Sequence, residues 1–363
     1  MKKTFVLIST VFFFSLLVIF VLYLVAGKLN HQHNTFTRLF PPHPVAFHKA
    51  LDIKYSSYYI AGATPHHFYL SNFAAPLQLL ELNPVSVDTQ RVRLSLEDAD
   101  VQKFKSIRVA VDSPFFYITD GIRPALLKGH VGQWRASRYM YDSAYFSEAV
   151  PVSPTSLIIR SANPTKGFFL SKETSTYPHL KMDTTLLVKQ VDGLFCTDGM
   201  MHFNQELNML IYLYYYRNQF ICMDTSLNLL YHGKTIDTVS HAQIKVATIR
   251  SDNSITLAAP PLMVNRKSAT SGNYLFVNSA LQAKNETDEA FNTASVIDVY
   301  NLQDGTYRFS FYLFDFNEEK LREFKVAGDK LVALYDHYAV IHRLEQKYFQ
   351  PLNRDPGTKD HQP

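Results

Sequence analysis

The chain of 363 residues carries only two cysteines, one tryptophan and 13 glycines. Cys196 and Cys222 form no C-x-x-C, which excludes thioredoxin-like redox chemistry and a zinc ribbon. In an oxidising compartment they could pair and close a loop of about 26 residues, worth roughly 3 kcal/mol. Both lie in apolar runs, Phe195-Cys196 and Ile221-Cys222, so two buried free thiols are the favoured reading. Charged residues make up only 19% of the chain against 47% hydrophobic, which excludes a disordered polyampholyte and provides ample core. The net charge of +4 contains no basic block, and pairs such as Arg91/Arg93 and Lys103/Lys105 read as solvated faces. Nucleic acid is therefore excluded as a partner. No Gly-x-Ser-x-Gly elbow surrounds Ser153, Ser156 or Ser161, and no Gly-rich phosphate loop is present.

What the chain does have is a long apolar start. Phe5 to Ala26 is an uncharged run of 22 residues, long enough as a helix to cover a hydrocarbon core of roughly 30 Å. A cleaved signal peptide would have a shorter apolar core and a small-x-small exit, whereas Leu24-Val25-Ala26 is bulky at its first position. A retained signal-anchor is expected. Lys2, Lys3 and the N-terminal amine outweigh Lys28, so the N-terminus is expected on the cytoplasmic side and the remaining chain outside, periplasmic in a Gram-negative cell.

Behind the anchor, short β-rich runs alternate with turn chemistry: Tyr58–Gly62, His67–Asn72, Pro76–Leu82, Ile107–Val111 and Phe115–Thr119. Breaks every 8–12 residues read as all-β, with little room for helix. Ser95–Val101 could form one capped turn, and Asn285–Phe291 another. An internal echo links Val111-Asp112 through Asp120-Gly121 to Val191-Asp192 through Asp198-Gly199. Weaker copies occur at Phe220–Asp224, Tyr274–Asn278 and Leu331–Asp336, with second strands at Ser226–Leu230, Ala294–Tyr300 and His337–Ile341. Irregular copies at roughly 35–50-residue spacing suit β-propeller blades.

On these segments, with Tyr214–Phe220, the chain resembles propeller-like domains of the TolB/NHL type, especially membrane-anchored members found in Bacteroidetes. The resemblance covers roughly residues 55–346 and implies six or seven irregular blades. It departs from WD40 blades in lacking a Trp-Asp pair, and from kelch and sialidase-like repeats in lacking their glycine and Asp-box signatures. A β-sandwich is the alternative. A link to a neighbouring membrane redox or export system is implied by the resemblance alone.

Candidate sites follow from the echo. Asp120, Asp198, Asp224 and Asp336 recur at strand ends, and around an axis they could converge as a carboxylate ring for Ca²⁺ or a cationic ligand. The plainer reading is turn chemistry, since Asp caps its own turn. Tyr212, Tyr214 and Tyr216 share one strand face, a stacking platform for a ligand or, more simply, packing between sheets. The histidines, including His31, His33 and His66-His67, carry no triad or firm metal spacing.

The sequence thus predicts a cytoplasmic stub (1–4), a transmembrane signal-anchor (5–26), a linker (27–54), an all-β propeller (55–346) and a disordered tail (347–363). The expected function is a binding module tethered in the inner membrane through Phe5–Ala26, with ligand contacts sought at Asp120, Asp198, Asp224, Asp336, Tyr214 and Tyr216. Its partner would be a small ligand or a membrane or periplasmic protein, with no cofactor required. The competing expectation is a metal-dependent hydrolase or lactonase with an acidic channel mouth.

Overall fold

The computed structural model describes residues 2–30, 35–64, 66–97, 104–140, 144–163, 167–249 and 254–349, and within the N-terminal helix the side chains of 7–21. That helix, α1 (Lys2–Asn30), is continuous over 29 residues. Its described large apolar side chains, Leu7 through Val21, are exposed on every side. Among the described residues no helix is long and apolar enough to cross a membrane. The expected span Phe5–Ala26 runs beyond the described side chains at both ends, so a transmembrane helix is not established there.

The chain next forms β1 (Val45–Asp52), then a meander of β2 (Tyr58–Ala63), β3 (Phe68–Asn72), β4 (Gln78–Leu82) and β5 (Thr89–Arg93), followed by β6 (Ser95–Leu96). A second meander holds β7 (Ile107–Asp112), β8 (Phe115–Asp120), β9 (Ala125–His130) and β10 (Arg135–Arg138). A third holds β11 (Glu148–Ser153), β12 (Ser156–Asn163), β13 (Gly167–Thr174) and β14 (Leu180–Asp183). The fourth is β15 (Gly199–Asn204), β16 (Met209–Tyr214), β17 (Gln219–Met223) and β18 (Leu229–Lys234), after which β19 (Val246–Ile249) and β20 (Ser254–Leu257) make a separate hairpin. The fifth is β21 (Asn265–Ser271), β22 (Tyr274–Ser279), a helical turn α2 (Asp288–Thr293), β23 (Ala294–Asn301) and β24 (Tyr307–Phe314). Finally come β25 (Glu323–Ala327), β26 (Lys330–Leu334) and β27 (Tyr338–Leu344).

Each meander is an antiparallel four-stranded sheet, and the last three strands gain their fourth from the N-terminal side, in the order β1-β27-β26-β25. The register runs from Val45 opposite Leu344 to Asp52 opposite Tyr338. The first two sheets meet through one parallel pair, Gly62 with Val111. Gly62 is required there, since a Cβ would lie 2.0 Å from the Val111 carbonyl oxygen.

Six sheets in a row become a ring because six apolar seams join them pairwise. Tyr69 and Leu79 of blade 1 pack with Val109 and Phe116 of blade 2, and Tyr117 and Leu126 of blade 2 pack with Met140 and Leu157 at blade 3. Ile158 and Leu170 meet Tyr212 and Ile221, Ile211 and Phe220 meet Leu275 and Tyr300, and Phe276 and Val299 meet Leu331 and Ala333. Val332 and Leu334 then return to Phe68 and Leu70, closing the circle. This is the topology of a β-propeller with six blades, the β1 strand latching the last one. It rules out the β-sandwich alternative. The second strand of a blade is covered on both faces, which is why β16, β22 and β26 are dominated by apolar residues. The seam between blades 2 and 3 is the thinnest, with four buried apolar residues at its centre.

Several expectations need correction. Part of the expected linker 27–54 is β1, and residues 36–40 form a strap across blade 5. Phe36 is buried with Val264, Leu281 and Ala283, Ser310 N donates to the Leu39 carbonyl (2.7 Å), and Phe40 stacks on Tyr312 at 4.8 Å. Arg38 is fully buried and forks Asp298 through Nε (2.7 Å) and a terminal nitrogen (3.0 Å). It also bonds Glu286 and the Leu281 carbonyl. The segment 191–198 is no blade strand but a loop with a 3-10 turn at Phe195–Thr197, because Asp192 turns its carboxylate onto Leu194 N (2.6 Å) and Cys196 N (3.2 Å). Cys196 is thus not mid-strand, and it and Cys222 are free buried thiols in separate clusters. Ser95–Leu96, expected as the start of a helical turn, is β6, paired in parallel with β10. The expected turn near 285–291 is α2, capped by Thr287, whose hydroxyl accepts Ala290 N. At the other end, Tyr348 and Phe349 still pack on blade 5, and the expected tail beyond 349 lies outside the described residues.

Candidate functional site

Because the first strand of each blade is innermost, β2, β7, β11, β15, β21 and β25 surround the central channel with their N-terminal ends at one mouth. That mouth widens toward the thin seam between blades 2 and 3 into a cavity of about 760 Å³. Its lining includes Tyr59 and Ala61 of β2, Arg108 and Ala110 of β7, and Glu148 of β11. Arg160, Met201 and Tyr215 extend it toward blade 4. Ligand-sized concavities of this kind, with a few placed polar groups, are where small molecules bind.

Arg160 organises the blade 3 side. It donates to Ser147 Oγ (2.9 Å), the Gly199 carbonyl (2.8 Å), Tyr212 Oη (3.2 Å) and Asp198, and lies 4.8 Å from the Phe168 ring centroid. Burial alone would lower the Arg160 guanidinium, but Tyr212, Glu148 and Asp198 raise it, so it is permanently charged. Glu148 accepts Met201 N (3.2 Å) and sits 3.9 Å from Arg160. Enclosure raises its carboxyl above the usual range, opposed by Arg160, although its side chain keeps 30% exposure through the open channel. Glu323 of β25 is likewise raised by burial and accepts Ile60 N.

Arg108 differs from Arg160. Its guanidinium lies 4.3 Å from the Phe73 ring centroid and 5.4 Å from that of Tyr59, two rings stacked 4.5 Å apart. Val109 N donates to Tyr59 Oη (2.8 Å), which fixes that ring. The opposite end of the channel is also charged. There Lys325 is lowered by burial, opposed by Asp112, Glu206 and Glu323, and Gln205 donates to Asp112.

The residues expected from sequence scatter. Asp120 is buried, and its carboxylate accepts four backbone N–H groups, from Lys105, Ser106 (2.9 Å), Ile122 (2.9 Å) and Arg123 (3.1 Å). Burial opposes its charge, but these donors prevail and hold it below the usual carboxylate range. Asp224 likewise closes its own turn onto Ser226 N (2.8 Å) and Asn228 N (2.9 Å). It follows the third strand of its blade, at the end of the disc opposite Asp120. Asp336 lies in the β26–β27 turn, half exposed, 3.5 Å from Arg322. Only Asp198 reaches the mouth's polar network, spent on Arg160. The carboxylate ring does not form, and among the described residues no three His, Cys, Asp or Glu are grouped to hold a metal ion. Tyr214 and Tyr216 are buried packing residues, with Arg217 stacked 3.6 Å over the Tyr214 ring. Arg108, Arg160 and Glu148 were missed. Their signal was a charge within a strand that otherwise alternates, such as Ile107-Arg108-Val109-Ala110-Val111.

No protein-family description and no curated protein matches the sequence. Among solved structures, the chain is similar to a member of the DUF4221 family from Bacteroides vulgatus (10% identity, TM-score 0.48, covering 84% of this chain and 99% of that one). It is similar to a putative exported protein from Bacteroides fragilis (9%, 0.48, 86% and 99%). A third likeness is to virginiamycin B lyase from Staphylococcus aureus, solved with quinupristin (9%, 0.46, 82% and 99%).

Proposed function

We propose that the chain is a membrane-tethered, extracytoplasmic binding module whose ligand sits in the channel mouth at Tyr59, Arg108 and Glu148. The observation that carries this is the cavity of about 760 Å³ lined by residues of four blades. The tether is α1, whose described apolar side chains, Leu7 to Val21, are exposed on every face; such a helix gains from lipid what it cannot gain from water. Lys2 and Lys3 then keep its start on the cytoplasmic side. A membrane or periplasmic protein could share the ligand from the exposed faces of the disc.

The hydrolase alternative gains nothing from the geometry, because Asp120 is engaged by four backbone N–H groups and Asp198 is paired with Arg160. The test is a thermal-shift screen of the full chain in detergent against small polar metabolites, repeated with Ala110→Trp, which fills the cavity from β7. Ligands that stabilise the parent chain and not the filled variant support the reading. Hits that bind both equally place the site elsewhere.

A further inference from the structure

Among the described residues, charged features outside the packing of the blades include the buried Arg38 cluster, the Lys325 end of the channel, and Arg108. The first is complete in itself, with every arm of Arg38 bonded. At the second, Lys325 has Asp112, Glu206 and Glu323 around it. Arg108 also has carboxylates near it, Glu148 and Glu323, but among the described residues its guanidinium lies over two aromatic faces and carries no hydrogen bond or ion pair.

We infer that the channel mouth takes a small molecule bearing one anionic head, a carboxylate or a phosphate ester, forked by the Arg108 guanidinium. This rests on the mouth being the ligand site. A guanidinium presents five N–H donors in a rigid plane matched to such oxyanions, and stacking on rings leaves its edge free. Here the rings are themselves fixed: Tyr59 is pinned by Val109 N and stacked on Phe73. The plane is therefore preorganised before any ligand arrives. The neighbouring acids do not take its place. Asp198 is bonded to Arg160, Glu148 to Met201 N, and Glu323 to Ile60 N. Glu148 and Glu323 do, however, add negative charge beside Arg108. They disfavour a polyanion and leave room for a single anionic head, with the rest of the ligand against Ala110 and Tyr215.

The test is titration calorimetry on the full chain in detergent with benzoate and phenyl phosphate, against benzamide and benzyl alcohol as neutral counterparts. Arg108→Gln, Arg108→Lys and Ala110→Trp are compared, each checked for an unchanged circular-dichroism spectrum and melting temperature. At least one anion should bind the parent chain. Its binding should weaken at least about tenfold in Arg108→Gln, fall partway in Arg108→Lys, and vanish in Ala110→Trp. Failure of both anions to bind at millimolar concentration, equal binding of neutral counterparts, or binding untouched by Arg108→Gln would overturn the inference. If neutral probes alone bind and Ala110→Trp abolishes them, the mouth remains the site and only the anion preference falls. If Ala110→Trp changes nothing, the mouth itself is wrong.

Discussion

Replacing Arg38 by Met should loosen the whole N-terminal latch. Arg38 shows no side-chain exposure, and the replacement strands two carboxylates, of which Glu286 has none either and Asp298 2%. Each keeps part of its hydrogen bonding: Asp298 still receives Ser310 Oγ, and Glu286 still receives Ala283 N (2.6 Å) and Tyr312 Oη (2.8 Å). Breaking a buried ion pair on one side costs about 3–5 kcal/mol, because the remaining charge is uncompensated. With an unfolding entropy near 2 cal/mol/K per residue, a domain of about 300 residues should melt roughly 5–8 °C lower. The assay is a thermal melt of the full chain in detergent, with proteolysis across residues 35–44 as a local readout. The triple replacement Arg38→Met, Asp298→Asn, Glu286→Gln separates charge from packing and should recover about half of the loss. A single-variant loss below about 1 kcal/mol, or a triple variant no better than the single, would refute the reasoning.

Further outcomes are expected elsewhere. Burial holds His202 down to about 3, helped by Lys325, and His342 down to about 4, both below the unfolded value near 6.5. A base whose folded pKa is depressed stabilises the fold above the unfolded pKa and loses that contribution as pH falls. From pH 7 to 5 each should cost about 1–2 kcal/mol. Glu148 and Glu323, raised by burial, work in the other direction, so the informative comparison is urea unfolding of His202→Gln against the parent, whose pH slope should be steeper. Gly62→Val places side-chain atoms on the Val111 carbonyl; a midpoint drop of about 2–4 kcal/mol is expected, and a neutral result would contradict the close approach of blades 1 and 2. Alkylation should modify neither cysteine in the folded chain and both after denaturation without reductant, because both are buried free thiols. A chelator should leave the melting temperature unchanged, since Asp120, Asp198 and Asp224 are bonded within the fold; a fall would return the metal reading to consideration.

The all-β class was legible because turn residues punctuate apolar runs at blade-like spacing; the structure shows why the runs in β22 and β26 are apolar, since each is buried between neighbours. The blade phase was not legible. Tyr274–Ser279 and Lys330–Leu334 are second strands while Gln219–Met223 is a third, and all three look alike because each is covered on both faces. Val191–Gly199 mimics a strand and hairpin in composition, yet Asp192 folds 191–198 into a loop. The latch was hidden because Val45–Asp52 is exposed along most of its length, so it carries no apolar signature, and its partner is nearly 300 residues away. The aspartates were visible as turn formers, and that is where their hydrogen bonds go. Arg108 and Arg160 were overlooked because an arginine in a strand reads as a solvated position, and only ring closure turns that position toward a shared cavity.

A crystal structure of the full chain or its complex with the first ligand found by the thermal-shift screen tests the central claim most directly. The account predicts the ligand in the mouth, its anionic oxygens within about 3 Å of the Arg108 guanidinium and its body between Tyr59 and Glu148. A ligand lodged at the Lys325 end of the channel, or on the outer edge of a blade, would contradict it.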